Sequence, residues 1–456
     1  MAFDPDEAFA YHAVPMNAPA LPASPPFTLR ARLLTPLAAG GSRHETDALI
    51  SVDAGGHLSQ VEAWDEAAAT GSVIDIRPWV VLPGLVDLHA HLPQLPNAGV
   101  GAGLDLMTWL ERYIFPLERE FDVPTAERIA PAAFRAFARA GTTTVVAYGA
   151  LWADSLDACF RAAEEHGIRA VIGKVMMDRL SYDTELDPSE VLELSIRQSA
   201  DLCARWHGRD GGRLSYAYTP RFAVSCSAEM LGRSAAAAAE AGAYWQTHLS
   251  EDRGEIGEVR RLFPEAVDYT DVYDRAGGLS RRAILAHAVH LSDREVTRLA
   301  ESGAVIAHCP SSNLFLASGA MPLARYLAAG IRIGLGSDVA AGPDAQLFSV
   351  MRAGAYTQNA LRAAELSDAP PLSPADWLRV GTLGGAAALG IDDQIGSVEV
   401  GKEADLITVD PSVTLPLADV GSHAEDGPEE MLSRLIFRAH PAMVRGAWVR
   451  GRLLPA

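Results

Sequence analysis

Lysine is almost absent from this chain: Lys174 and Lys402 are the only two in 456 residues. Basic charge therefore rests on arginine, and acidic residues still outnumber it, 58 Asp and Glu against 38 Lys and Arg, for a net charge of −20. A surface of that sign has no general affinity for nucleic acid, which needs clustered cations to displace counterions. Beside the abundance of Arg and Ala, the lysine shortage reads as genomic base composition. Cysteine is scarce as well. Cys159, Cys203, Cys226 and Cys309 are scattered and form no CxxC pair, the pattern of reduced core or near-site residues in a cytoplasmic protein. No apolar run is long enough to span a bilayer. The N-terminus is acidic and proline-rich, without the basic and apolar regions of a secretory signal.

What is present is an alternation. Residues 1–27, rich in Ala, Pro and charge, read as a loosely packed arm. Short β-like runs follow, broken by Gly, Asp and Pro. From there, apolar strand candidates recur at 80–88, 142–148, 170–177, 214–219, 243–248, 283–287, 304–308 and 331–336. Ala-rich helical stretches separate most of them, at 126–140, 155–166, 188–206, 227–241, 292–302 and 344–363. Eight strands spaced by helices predict an α/β protein with a (β/α)8 TIM barrel. β character returns after a helix over 374–389, so residues 28–82 and 391–456 are expected to form one small β-sandwich domain around a barrel at 83–390.

Active sites of such barrels lie where the strands end. There the first strand offers His89 and His91, two residues apart and so on one side of a strand. The fifth offers His248 with Glu251 three residues later, the sixth His287, and the eighth Asp338 after a Gly-rich run. Taken singly, each has a plainer reading. His248 and His287 suit hydrogen-bonded core positions, Asp338 a helix N-cap, and Glu251 a first helical turn. Their coincidence at the ends of four strands favours a metal centre of imidazoles and a carboxylate with one position open for water. Bound Zn2+ lowers the pKa of its water from near 16 to about 7, and Glu251 is spaced to take and return the proton. A second metal would ordinarily need a bridging group such as a carboxylated lysine on the fourth strand. That segment, LSYAYTP, has none, since Lys174 belongs to the third, so one metal is expected. His308 and Asn313, after the seventh strand, are expected to shape the rim or support the ligands. His57, His166, His207, His423 and His440 fall in loops or helices and read as surface or structural.

The set LPGLVDLHAH, THLSE, LAH, AHCPSSN and GLGSDVAAG resembles the amidohydrolase superfamily and its mononuclear aminohydrolases. Within these, HLPQ (91–94), WLERYIFPLE (109–118), VIGKVMMD (171–178), TPRFAVSCS (219–227), THLSED (247–252) and VYDRAG (272–277) resemble the guanine deaminase family. The resemblance covers most of the barrel. It implies hydrolysis of a purine C–N bond in purine catabolism or salvage. It also implies one Zn2+ per chain, with Fe2+ as the alternative ion, and a homodimer. It places His89, His91, His248 and Asp338 on the metal, and makes Glu251 the proton shuttle, with His287 and Asp338 as catalytic partners around the attacking water. Gln94, Arg221 and Phe222, with His248 beside them, would hold the small-molecule purine. Arg221→Ala is then expected mainly to weaken substrate binding. No nucleic acid or membrane partner follows from it. Two departures, Leu92 and the glycine-rich loop 94–106, adjoin the expected pocket and keep open another ring: 8-oxoguanine, a pterin or a triazine. A zinc site of the PCxxC deaminase type is excluded, because no two cysteines lie close enough.

Overall fold

A computed structural model describes residues 19–69, 71–180, 185–416 and 427–456; the start of the expected arm and His423 lie outside them. Eight parallel strands run in sequence order around one sheet: Leu85–His91, Thr142–Tyr148, Arg169–Gly173, Leu214–Pro220, Tyr244–Leu249, Ala283–His287, Val305–His308 and Arg332–Leu335. The expected third strand is divided. A two-residue piece, Val175–Met176, pairs only with the fourth strand, and Lys174 sits at the break.

Most strands are flanked on both faces by apolar side chains, which is why their runs read as hydrophobic. Val86, Leu88, Val146, Val171, Ile284 and Ala307 fill the barrel interior. Leu85, Val145, Ile172, Leu285 and Ile306 face the surrounding helices. Those helices begin and end on local signals. Asp187 and Glu190 close a capping box on Pro188–Trp206, and Ser292 and Glu295 do the same for Asp293–Ser302. The long first connection carries several short helical pieces between Leu92 and Arg119 before the helix Val123–Arg139.

The barrel is closed between its last and first strands by the backbone that carries the expected ligands. Asp338 N–H donates to the His89 carbonyl at 2.7 Å, and His91 N–H to that of Val339 at 3.0 Å. Gly336 permits this approach: a Cβ there would lie 2.7 Å from the His89 Cβ and 2.8 Å from Cys309 Sγ.

The chain ends share a seven-stranded mixed sheet, in the order Arg452–Leu453, Val444–Val449, Leu406–Val409, Val73–Pro83, Phe27–Pro36, Ser42–Val52, Leu58–Ala63. It is one continuous sheet, with a bulge between Ala31 and Leu33, and has its own core of Leu29, Leu33, Ile50, Val81 and Trp448. The described end of the expected arm docks on it, with Trp448 Nε1 donating to the Pro22 carbonyl at 2.9 Å. Among the described residues, no helix is long and apolar enough to cross a membrane.

Candidate active site

Strand alternation alone would not bring the expected residues together. On the first strand Val86 and Leu88 face the interior, so simple alternation would turn His89 and His91 toward the helices. The pairing register with the second strand shifts between Asp87 and Ala90, and Ala90 joins the outer core instead. This bulge re-aims both imidazoles into the barrel mouth. A different device serves the sixth strand. Ile284 and Ala286 point inward, and His287 next in line takes a left-handed backbone conformation (φ 72°) that breaks the alternation. Ser250 (φ 47°) and Asp338 (φ 48°) share that region, so three non-glycine residues at strand ends carry a conformation that costs about 1–2 kcal/mol each. Backbone strain gathered in this way is characteristic of functional sites.

The outcome is a cluster of lone pairs. His89 Nε2 lies 3.2 Å from His91 Nε2 and 3.1 Å from Asp338 Oδ1. His91 Nε2 lies 3.3 Å from the same oxygen and 3.4 Å from His248 Nε2. A tetrahedral zinc centre with bonds of about 2.0–2.1 Å sets its ligand atoms about 3.3–3.4 Å apart, so the spacing fits a metal ion. The tautomers fit as well. His248 Nδ1–H donates to the Arg221 carbonyl at 2.6 Å and His287 Nδ1–H to Asn313 Oδ1 at 2.9 Å, which leaves both Nε2 lone pairs facing the centre. Burial keeps the imidazoles neutral, as ligation requires: His91 is pushed down to about 4, and His89 and His248 are also lowered. Burial opposes the charge of Asp338, but the histidines around it hold its carboxyl well below the usual range.

Beside this cluster lies Glu251, buried, with Oε2 3.4 Å from His287 Nε2 and Oε1 accepting from Ser318 Oγ at 3.3 Å. It does not belong to a helical turn. The helix Arg253–Leu262 is capped by Asp252, and Glu251 precedes it, its N–H held by Glu255 Oε2 at 2.9 Å. Burial, then the charges of Asp338 and Glu255, push its carboxyl well above the usual range. One cavity is lined jointly by His91, His248, Glu251, His287 and Asp338 and by Gln94, Arg221 and Phe222. Trp109 and Leu110 add an apolar wall. The structure thus brings the expected residues to one place, with Asn313 Oδ1 hydrogen-bonded to His287. His308 is buried, with neither ring nitrogen hydrogen-bonded among the described residues.

Arg221 is not at the surface. It forms a buried ion pair with Glu118, whose other oxygen accepts from Gln94 Nε2 at 2.8 Å. Burial alone would raise the Glu118 carboxyl, but the Arg221 charge and these hydrogen bonds hold it below the usual range. Sequence reasoning missed Glu118, and also Ser318, Glu255 and Asp87. Asp87 Oδ1 accepts from the N–H groups of His89 (3.1 Å) and Ser337 (2.9 Å), tying the first strand to the end of the eighth. Glu118 had one available signal, its place at the end of the WLERYIFPLE segment.

Residues 80–454 match the Amidohydrolase family. A probable guanine deaminase of Deinococcus radiodurans is 39% identical over 398 residues, covering 86% of this chain and 87% of that protein. The solved guanine deaminase of E. coli aligns with TM-score 0.84 at 31% identity, over 94% of this chain and 98% of its own. The guanine deaminase of C. acetobutylicum, solved with guanine bound in the active site, aligns with TM-score 0.86 at 27% identity, over 94% and 99%.

Proposed function

The chain belongs to the amidohydrolase family, and from that premise we propose that it deaminates guanine hydrolytically, releasing ammonia and leaving xanthine. The observation that carries this reading is one cavity lined both by the converging His/Asp cluster with Glu251 and by the Gln94, Arg221 and Phe222 side chains. The relatives named above support guanine as the ring.

We assign His89, His91, His248 and Asp338 to one divalent ion, zinc in this reading. When bound, the ion supplies a water acidic enough to ionise near neutral pH. The protein's own groups do the rest. Arg221 donates to the purine O6, and the Phe222 ring covers a face of the base. The water adds to C2 from the side of Asp338 and His287, which orient it. Glu251 takes its proton and returns it to N3, then carries the proton that lets the C2 amino group leave as ammonia. Burial raises the Glu251 carboxyl above the usual range, the direction that suits a group that must both take and return a proton. His248, ligating through Nε2, also borders the substrate.

The proposal extends to a homodimer in the cytoplasm, where the four buried free cysteines would stay reduced. It also extends to a barrel at 83–390, with the chain ends forming the second domain. The test of the reaction is product analysis in isotopically labelled water. One ammonia per xanthine, with the label at C2, is the expected result; guanine returned unchanged by the zinc-loaded protein would end the reading.

A further inference from the structure

Two of the side chains assigned to the purine are not independent of each other. Gln94 and Arg221 arise from distant parts of the chain, yet both end on the carboxylate of Glu118. Glu118 is 2% exposed and stands behind the cavity, whereas Gln94 and Arg221 line it.

This arrangement decides which way Gln94 faces. An ionised carboxylate accepts hydrogen bonds and donates none. Only the amino end of the Gln94 amide can therefore sit 2.8 Å from Glu118 Oε1. The carbonyl end is turned away from Glu118, and among the described residues no protein donor meets it. Arg221 carries donors only. The pair therefore offers the cavity one acceptor and one donor, in a fixed order.

We propose that Glu118 is a positioning residue that makes the site selective for a lactam edge, a ring N–H beside a C=O, by locking Gln94 as the acceptor and aiming Arg221 as the donor. The inference rests on the guanine reading above and deepens it. Guanine presents N1–H and O6 along that edge. A purine with an amino group at C6 and a bare N1 reverses both, and would set lone pair against lone pair and donor against donor. 2,6-Diaminopurine isolates the effect, because it keeps the C2 amino group to be hydrolysed and differs from guanine only at this edge.

The test is kcat/KM for guanine and for 2,6-diaminopurine, by ammonia release, with zinc-loaded wild type, Glu118→Gln and Gln94→Leu and with metal content checked. A site built around hydrogen-bonding groups rejects a mismatched analogue strongly, so wild type should prefer guanine by about 10^3-fold or more. Glu118→Gln keeps shape and a hydrogen bond to Arg221, but an amide at 118 can donate to the Gln94 carbonyl and so frees Gln94 to turn over. The guanine preference should fall by about tenfold or more, chiefly through the KM for guanine. Gln94→Leu removes the acceptor without breaking the ion pair and should lower the same ratio, with no further fall in the double variant. An unchanged ratio in either single variant, with both substrates slowed equally, overturns the proposal. Wild-type enzyme inactive on guanine overturns the functional reading instead.

Discussion

Truncation of Arg221 to Ala should destabilise the fold as well as weaken substrate binding, and the size of the effect follows from its partner. Arg221 and Glu118 are each 2% exposed and face one another as an ion pair. Removing one partner of a buried pair costs about 3–5 kcal/mol, because the other charge is left uncompensated. Glu118 has an escape, which is to bind a proton. From an ordinary glutamate pKa of about 4.3, protonation at pH 7 costs about 3.7 kcal/mol, so that figure caps the electrostatic loss. The cap falls by about 1.4 kcal/mol for each pH unit, to about 1 kcal/mol at pH 5. In the variant the folded carboxyl has the higher pKa, so its deficit must shrink as pH falls. Lost packing against Phe115, whose ring lies 5.7 Å from the guanidinium carbon, adds about 0.5–1 kcal/mol at every pH. Urea unfolding of wild type and Arg221→Ala at pH 7, 6 and 5 measures this, with Arg221→Met/Glu118→Leu as the compensated pair, expected within about 1 kcal/mol of wild type. A deficit below about 1 kcal/mol at pH 7, or one independent of pH, would refute the reasoning.

Three further outcomes can be checked. Glu251→Gln should retain the metal and lose about 10^2–10^4-fold in kcat, the range for a positioned acid–base group; metal analysis beside steady-state kinetics decides it, and an active variant ends its role as the shuttle. Asn313→Ala frees the ring whose Nδ1 it holds at 2.9 Å, and should cost about 10–100-fold in activity or metal affinity, read from kcat and a chelator titration. Burial of His308 pushes its pKa down to about 3, against about 6.5 when unfolded. The unfolded chain therefore binds the proton first, and stability present above pH 6.5 is lost as pH falls, by up to about 1.4 kcal/mol per unit. His308→Asn should flatten that slope in urea midpoints between pH 6.5 and 5; an unaltered slope assigns the acid sensitivity elsewhere.

The barrel was legible because most of its strands are apolar on both faces and its helices carry their own caps, so each element declares itself locally. The candidate ligands were legible because they sit where those elements end. What turns them toward one another was not. His89 and His91 depend on a register shift with the second strand, and His287 on a left-handed residue, and neither leaves a mark in the alternation of apolar residues. Glu251 and its helix differ by one capping residue, Asp252, whose box with Glu255 excludes the carboxylate from the first turn. Glu118 was out of reach for another reason. Its partner Arg221 is 103 residues away, and a glutamate in an amphipathic segment looks like a solvated face until the fold buries it.

The most direct test of the account is a comparison of kcat/KM for ammonia release from guanine, 8-oxoguanine, isoxanthopterin and melamine with the zinc-loaded enzyme. Guanine should lead the others by orders of magnitude. A pterin or triazine turned over faster than guanine would contradict the substrate assignment while leaving the metal cluster and Glu251 in place.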